Sequence, residues 1–355
     1  MLVPSGGGRD RRRALVLAVA LLGIPAGAAR ADSAWTWSIL EEDDFWAPDN
    51  RDRHYTHGIR LSTTSGDVHD DFWQAPFRWI GSVAPIFPEG TDIARRYNLI
   101  LLGQNMYTPE DFTRFNPDPR DRPYAGWLYS GVGLMQDTPG TTTDGVDRFD
   151  ELALKVGIVG PGSLANQTQT RYHLLIVVSP FKGWHAQLRN EWAGDLFYQH
   201  KWRLHDEGES GFGWDVIPQW SLRVGNVYDY AAAGGLLRFG QNLRVDYGPP
   251  HIDLNTGADY INADRLAPGT DWGFYFFFGG EARAVAHNIF LDGNDFKASA
   301  HVDKIPAVGD LELGAAVVHR HFRLAYTYIY RSPEFIHQNA PDHYGALSLS
   351  FRLPF

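Results

Sequence analysis

The segment "WSILEEDDFW", residues 37–46, holds four consecutive carboxylates at the end of a predicted strand. Residues 41–44 repel one another, and no basic residue follows them before Arg51. Such a run is either a solvated loop tip or a cation site in which a bound ion offsets the repulsion. The choice between these interpretations depends on where the fold places the segment.

A second group of residues that could do chemistry lies in the segment 161–191. Ser163 can cap a helix there, and Gln169 and His173 are four residues apart, so they would share one helix face. A neutral imidazole held beside a polar amide can act as a general base. The alternative is a surface histidine without a role, since the chain has 14 histidines.

Other catalytic chemistries find little support in the sequence. It contains no G-x-S-x-G nucleophile elbow, no H-E-x-x-H zinc motif and no phosphate-binding P-loop. The formal net charge of -10 opposes binding to nucleic acid, and we expect none.

The N-terminus predicts export from the cytoplasm. Residues 1–31 combine a basic start, the apolar run "ALVLAVALLGIPAGA" and a small-residue cleavage site "ARA", which together predict a signal peptide. The mature chain, residues 32–355, is predicted to be a single domain. It has no cysteine, but the full sequence contains 12 tryptophans and 37 glycines. An exported chain of this composition favours a lectin-like sandwich or an outer-membrane barrel.

Hydrophobic alternation favours the barrel. In "GALSLSFRLPF" every second residue from Leu347 to Phe355 is apolar, and the intervening residues are small or polar except Pro354. Long strands with one apolar and one polar face are typical of transmembrane barrels. We predict an all-β, antiparallel transmembrane barrel of about twelve strands with a helical extracellular loop. The predicted strands are 34–41, 54–63, 96–107, 122–135, 147–160, 192–204, 213–226, 234–247, 271–286, 309–319, 321–331 and 343–355.

A periplasmic N-terminus would place the acidic run at the extracellular rim, facing the anionic head groups of lipopolysaccharide. That position favours the cation-site interpretation. The predicted extracellular loops are 42–54, 108–121, 161–191, 227–233, 287–308 and 332–342, and the segment 64–95 is predicted to form a short amphipathic helix at the inner rim. Alternation from Trp35 would turn Glu41 and Asp43 outward, unless a bulge shifts the register.

Four blocks of sequence resemble, in order, those of the outer-membrane lipid A 3′-O-deacylases. They are "LEEDDFWAPDNRDRHYTHGIRL", "GQNMYTPED", "DRPYAGWLY" and "VGIVGPGSLANQTQTRYH…KGWHAQLRNE", within residues 38–191. The resemblance implies a twelve-stranded barrel in the outer membrane of a Gram-negative bacterium. It also implies calcium-dependent hydrolysis that removes the 3′-linked acyloxyacyl group of lipid A, at a site on the extracellular side.

The resemblance also implies roles for individual residues. His173 would activate water beside Gln169, and Thr56 would belong to the same catalytic site. Calcium would be held near Glu42, Asp43 and Thr56, although the family has an Asn-Asp pair where this chain has Glu42-Asp43. Candidate substrate contacts are Arg114, Arg122, Gln104 and Tyr107. Arg122 could instead form a rim ion pair, and Gln104 and Tyr107 could instead fill the lumen.

A different class of protein remains as the rival hypothesis. The chain could be a non-catalytic outer-membrane barrel, either a passive porin or a family member whose site is inactive. In both cases we expect a membrane-embedded monomer. The enzyme hypothesis adds lipid A of lipopolysaccharide as the substrate.

Overall fold

The computed structural model describes residues 34–47, 53–140, 145–175, 181–252 and 258–353. Within them, twelve antiparallel strands form a closed barrel in which β1 pairs with both β2 and β12. This confirms the predicted fold, whereas the predicted signal peptide lies outside the described residues. The strands are β1 (Trp35–Asp43), β2 (His54–Thr64), β3 (Ala94–Thr108), β4 (Ala125–Thr138), β5 (Asp147–Val159), β6 (Glu191–Glu207), β7 (Phe212–Gly225), β8 (Tyr228–Gln241), β9 (Trp272–Asn288), β10 (Ala307–His319), β11 (Phe322–Arg331) and β12 (Asp342–Leu353).

The strands alternate as the sequence pattern predicts. Outward side chains such as Val224 and Leu324 are exposed, whereas inward neighbours such as Arg323 and Ser350 are fully buried. A closed barrel of this kind satisfies its backbone hydrogen bonds between strands and presents apolar side chains to lipid.

The start of β1 and the end of β12 lie at one rim of the barrel, which we call the inner rim. The opposite rim, the outer rim, carries the connections 44–53, 109–124, 160–190, 226–227, 289–306 and 332–341.

In the described residues three α-helices accompany the barrel: α1 (Asp71–Val83), α2 (Ala165–Leu175) and α3 (Ile289–Asp292). The first confirms the helix predicted within 64–95 at the inner rim, and the second confirms the helix predicted within 161–191 at the outer rim. None of the helices in the described part of the chain is long and apolar enough to cross a membrane.

The strand β8 corrects one prediction. It begins at Tyr228, so the predicted outer loop 227–233 is instead a tight turn followed by strand. The sequence "YDYAAAGG" at its start is small and glycine-rich, so it lacks the alternation that marks the other strands. Because β8 also ends early, at Gln241, a long connection follows it, residues 242–271.

This connection, which we call the plug loop, folds into the barrel and was not predicted. Asp246 accepts hydrogen bonds from the guanidinium groups of Arg238 (2.6 Å) and Arg323 (2.9 Å), which lie on β8 and β11. Farther along the loop, Asp259 pairs with Arg60 of β2 at 2.9 Å. The polar inner faces of the strands therefore hold a segment of the chain.

Candidate active site

Two carboxylates and one imidazole meet on the outward face of β1 and β2. The ligand atoms of Glu41, Asp43 and His57 lie within 4.8 Å of one another. His57 is paired with Asp43 across the strands, and its Nε2 is 3.4 Å from Glu41 Oε1 and 3.9 Å from Asp43 Oδ2. We call these three residues the rim cluster. Neither strand pairing of β1 has a register shift, so Glu41 and Asp43 keep the outward alternation that begins at Trp35.

Glu42 lies on the other side of the wall. Its Oε2 accepts a hydrogen bond from the Tyr55 hydroxyl (2.8 Å) and its Oε1 accepts one from the backbone N–H of Ile252 in the plug loop (2.8 Å). His251 Nδ1 lies 3.3 Å from the same Oε1. The Glu42 carboxylate, predicted as a metal ligand, therefore faces the lumen, and Glu41 is the glutamate that lies beside Asp43 in the rim cluster.

Thr56 occupies a bulge in β2. The pairing with β3 steps from Tyr55–Tyr107 to His57–Met106 and leaves Thr56 without an opposite residue. At this bulge the Thr56 hydroxyl hydrogen-bonds to the Thr108 hydroxyl of β3 at 2.6 Å.

The helix α2 lies against the outside of the barrel wall. A Cβ built on Gly126 of β4 would come within 2.3 Å of the Ala165 Cβ at the start of the helix. Seven residues later, the ring of Tyr172 lies 5.9 Å from the ring of His57 on β2. Seven residues of helix cover about 10 Å, which is roughly two strand spacings. The helix therefore crosses the wall from β4 to β2 and ends beside the rim cluster.

Gln169 and His173 lie on this helix and are both buried. The indole N–H of Trp184 donates to Gln169 Oε1 at 2.7 Å, which fixes the amide. His173 meets Phe181 edge-to-face at 4.9 Å between ring centroids. Aromatic residues of the segment that follows the helix thus orient both predicted catalytic side chains.

The predicted substrate contacts divide into two groups. Arg122 is fully buried, pairs with Glu334 at 3.2 Å and stacks over Tyr107, so both of these residues fill the lumen. Gln104 donates to the Ser163 carbonyl at 2.5 Å and so fixes the entry to α2. Only Arg114 lies on an exposed surface, 3.4 Å from Asp118.

Asp121 fixes the loop 109–124 that carries Arg114. Its carboxylate accepts hydrogen bonds from the backbone N–H groups of Glu110 (2.8 Å) and Arg122 (2.7 Å). Burial raises the pKa of Asp121, but hydrogen bonding to His54 and to these N–H groups outweighs it, so the pKa lies below its ordinary value. The carboxylate is therefore ionised at neutral pH and holds the loop in place.

Sequence reasoning missed Glu41, His57 and Tyr172 as members of this region. The outward alternation that begins at Trp35 was the signal that could have identified Glu41. No comparable signal exists for Tyr172, because its neighbour His57 belongs to a strand more than a hundred residues earlier in the chain.

Comparisons with known proteins agree with this architecture. The model of the family described as outer membrane protein LpxR matches residues 15–353. Among solved structures, LpxR from Salmonella typhimurium superposes with a TM-score of 0.70 at 17% identity, covering 90% of this chain and all of that one. The β domain of the Bordetella autotransporter BrkA gives a TM-score of 0.48 at 10% identity, covering 91% of this chain and 99% of that one.

A search of curated proteins finds no match. At 17% identity the Salmonella structure is evidence for the fold alone. The family model, in contrast, spans all twelve strands and both of the longer helices. This chain therefore belongs to the LpxR family of outer membrane proteins, the lipid A 3′-O-deacylase family that its sequence blocks resemble.

Proposed function

We propose that this protein hydrolyses the ester of the 3′-linked acyloxyacyl group of lipid A at the outer rim of the barrel. The observation that carries the proposal is the position of α2, which holds Gln169 and His173 on the lipid-facing side of the wall and brings Tyr172, the neighbour of His173, to His57 of the rim cluster. A substrate embedded in the outer leaflet reaches that side without entering the lumen.

His173 is the proposed general base that takes a proton from water. It is almost fully buried, and its ring is held by Phe181, so its orientation is restricted before substrate binds. A positioned base of this kind typically contributes about 10²–10⁴-fold to a rate. Gln169, fixed by Trp184, lies one helical turn away and is the proposed orienting amide.

Glu41 and Asp43 are the residues that would hold a calcium ion. Their carboxylate oxygens fit the ligand preference of Ca²⁺, whereas the His57 imidazole lies outside it. His57 instead contacts both carboxylates through its Nε2, and it would turn away when a cation binds. When bound, calcium would act as a Lewis acid toward the ester oxygen. Thr56, in the adjoining bulge, stays a candidate member of the site.

Arg114 is the proposed contact for the phosphorylated glucosamine. It is the exposed member of the predicted substrate set, and a guanidinium forms charge-assisted hydrogen bonds with phosphate. Its loop packs against the segment that follows α2, through stacking of Phe112 on Phe181 at 4.3 Å. Substrate binding at Arg114 is thereby coupled to the position of His173.

The porin hypothesis is not favoured by the interior of the barrel. In the part of the chain that the structure describes, the plug loop bridges from Asp246 near the inner rim to Glu42 near the outer rim. A cavity of about 40 Å³ lies beside Arg60 and His251. That volume has room for only a few water molecules, and we expect no ionic conductance from the reconstituted protein.

The test is mass spectrometry of lipid A from cells that express the full chain. We expect loss of one acyloxyacyl unit in the wild type, and none with His173→Ala or when a chelator is present. The matched control is His301→Ala, which changes an exposed histidine of another outer-rim loop and should leave the loss intact. Unmodified lipid A from a folded wild-type protein would overturn the proposal and favour an inactive family member.

A further inference from the structure

The helix α1 uses only part of its apolar surface against the barrel. Phe77 is fully buried and packs edge-on against Phe87 at 5.1 Å and Tyr97 at 5.6 Å. Trp73 contacts the same Tyr97 ring at 5.7 Å, and the Tyr97 hydroxyl donates to the Trp73 carbonyl at 2.7 Å. These contacts fix the helix against β3.

The side of β3 that α1 covers is the outside. Arg96 stacks over Tyr260 at 4.5 Å, and Asn98 lies 3.4 Å from Asp259; both partners belong to the plug loop inside the barrel. Tyr97, between these two inward residues, points the opposite way because successive side chains of a strand alternate. The helix therefore lies on the membrane-facing surface of the wall.

A second apolar face of α1 is exposed, and its one ring contact in the described part of the chain is within the helix, between Phe72 and Trp73. The exposed fractions of Phe72, Trp79 and Val83 are 76%, 68% and 68%. At 100° per residue these three side chains fall within about 40° of one another around the helix axis. Asp71 and Arg78 occupy a separate, polar face, where they form an ion pair at 3.0 Å. The helix thus has one face that packs on the barrel, one polar face and one exposed apolar face.

The free apolar face continues the lipid-facing belt of the barrel. Tyr97 is four residues, or roughly 13 Å, from Leu101, an outward belt residue that is 42% exposed. The helix lies at the inner rim, between β2 and β3, and the rim with the short turns of a bacterial outer-membrane barrel is periplasmic. The leaflet on that side of an outer membrane consists of phospholipid.

The charge around α1 shows what kind of lipid contact to expect. Residues 65–93 contain five acidic residues and one basic residue. A surface helix that binds through anionic lipid instead carries clustered lysine or arginine.

We propose that α1 is an interfacial helix that inserts Phe72, Trp79 and Val83 into the phospholipid leaflet at the inner rim. Insertion is driven by apolar contact, without a requirement for anionic head groups. This role is independent of the proposed hydrolysis at the outer rim.

The absence of cysteine from the chain permits a direct test by spin labelling. Single cysteines replace Trp79 and Val83 on the apolar face and Arg78 and Ser82 on the exposed polar side. Each full-length protein is labelled with a nitroxide and reconstituted in phosphatidylcholine vesicles, with and without phosphatidylglycerol. The ratio of collision rates with oxygen and with a water-soluble nickel chelate measures depth in the membrane. Leu101→Cys supplies the lipid reference.

Glu89→Cys, at an exposed position of the same inner-rim segment, supplies the water reference. We expect labels at 79 and 83 to give ratios near the lipid reference and several-fold above those at 78 and 82. Addition of phosphatidylglycerol should not change them. Ratios at 79 and 83 equal to the water reference would overturn the proposal, and insertion only with phosphatidylglycerol would overturn its apolar basis.

A second measurement covers the case in which a labelled variant does not fold, as judged by heat-dependent migration on gels. Lipids brominated along the acyl chain quench nearby tryptophan fluorescence. If Trp79 is inserted, the wild type should lose more emission to brominated lipid than Trp79→Phe does. Equal quenching of the two proteins would contradict insertion.

Discussion

At the scale of single residues, the rim cluster combines two carboxylates with an imidazole that contacts both of them. His57 Nε2 lies within 4 Å of both Glu41 and Asp43. A cation that binds the carboxylates must therefore displace this interaction. Affinity for the ion is then a balance between carboxylate ligation and loss of the histidine contact.

This balance predicts opposite effects for two substitutions. Glu41→Gln should weaken calcium binding by about tenfold or more, since it removes a charged ligand. His57→Ala should leave affinity unchanged or raise it by a few-fold, because it removes the competitor. Calcium titration of purified protein, followed by competition with a luminescent lanthanide, measures both affinities.

The matched control for these variants is Glu209→Gln, an exposed acidic residue at the inner rim. It should bind calcium as the wild type does. Equal loss of affinity in Glu41→Gln and Glu209→Gln would mean that the rim cluster is not the cation site.

A second prediction concerns the hydrogen bond that fixes Gln169. Trp184→Phe keeps an aromatic ring against Tyr124 but removes the N–H donor to Gln169 Oε1. A buried hydrogen bond is worth about 1 kcal/mol, so turnover should fall by roughly fivefold. Substrate affinity should hardly change, because Gln169 orients the reacting groups.

Steady-state kinetics on lipid A in detergent separate these two effects. A rise in KM with unchanged kcat would contradict a positioning role for the amide and would instead assign Trp184 to substrate binding.

At the scale of elements, the site depends on how closely α2 approaches the wall. Gly126 has no side chain, and an added Cβ would lie 2.3 Å from both the Ala165 Cβ and the Ser163 Oγ. Such contacts force the start of the helix away from β4. The far end, which brings Tyr172 to His57, would then move as well.

We therefore expect Gly126→Ala to lower deacylase activity by tenfold or more, on the order of 1.4 kcal/mol of barrier, while the barrel stays folded. Gly309→Ala is the matched control, since a Cβ on this strand glycine would meet nothing within 4 Å. Activity is measured by mass spectrometry of lipid A, and folding by heat-dependent migration on gels. Full activity in Gly126→Ala would show that close helix packing is unnecessary.

Elements with strong periodicity were predictable, and those built from long-range contacts were not. The alternation of apolar and polar residues in β7, β11 and β12 indicates which face of each strand meets lipid. The strands and the closed barrel could therefore be predicted from the sequence. The plug loop was missed because its place depends on ion pairs such as Asp246 with Arg323, which link residues far apart in the chain.

The candidate site was predictable to a similar extent. Spacing and resemblance predicted Gln169, His173 and Asp43 as site residues, and all three lie at the outer-rim end of the barrel. Which carboxylate accompanies Asp43 depended on strand register, and sequence motifs alone favoured Glu42 over Glu41.

At the scale of the whole molecule, the barrel has charged side chains in its interior. A carboxylate of the plug loop pairs with two of the guanidinium groups there. Asp246 is fully buried in this loop, outside the membrane-spanning strands, and it faces Arg238, Arg323 and the Tyr275 hydroxyl. Burial raises the pKa of Asp246, but the two guanidinium groups outweigh that effect and lower the pKa from 3.8 to about 2. The ionised carboxylate is thus favoured by the folded state.

This shift predicts how stability depends on pH. Because the pKa is lower in the folded than in the unfolded chain, the stabilisation is fully present above about pH 4 and is lost as pH falls toward 2. The shift corresponds to roughly 2–3 kcal/mol in the free energy of unfolding. Urea unfolding in detergent, followed by near-ultraviolet circular dichroism between pH 6 and pH 2.5, measures this loss.

Asp246→Asn tests whether this one carboxylate is responsible. The variant leaves Arg323 buried without its charged partner, so at pH 7 it should be less stable by about 3–5 kcal/mol. Its unfolding midpoint should then depend less on pH below 4 than that of the wild type. Asp264→Asn, which changes an exposed carboxylate of the same loop, should retain the wild-type profile. If Asp246→Asn lost stability in parallel with the wild type between pH 4 and pH 2.5, other carboxylates would govern acid unfolding, and the plug loop would not depend on Asp246.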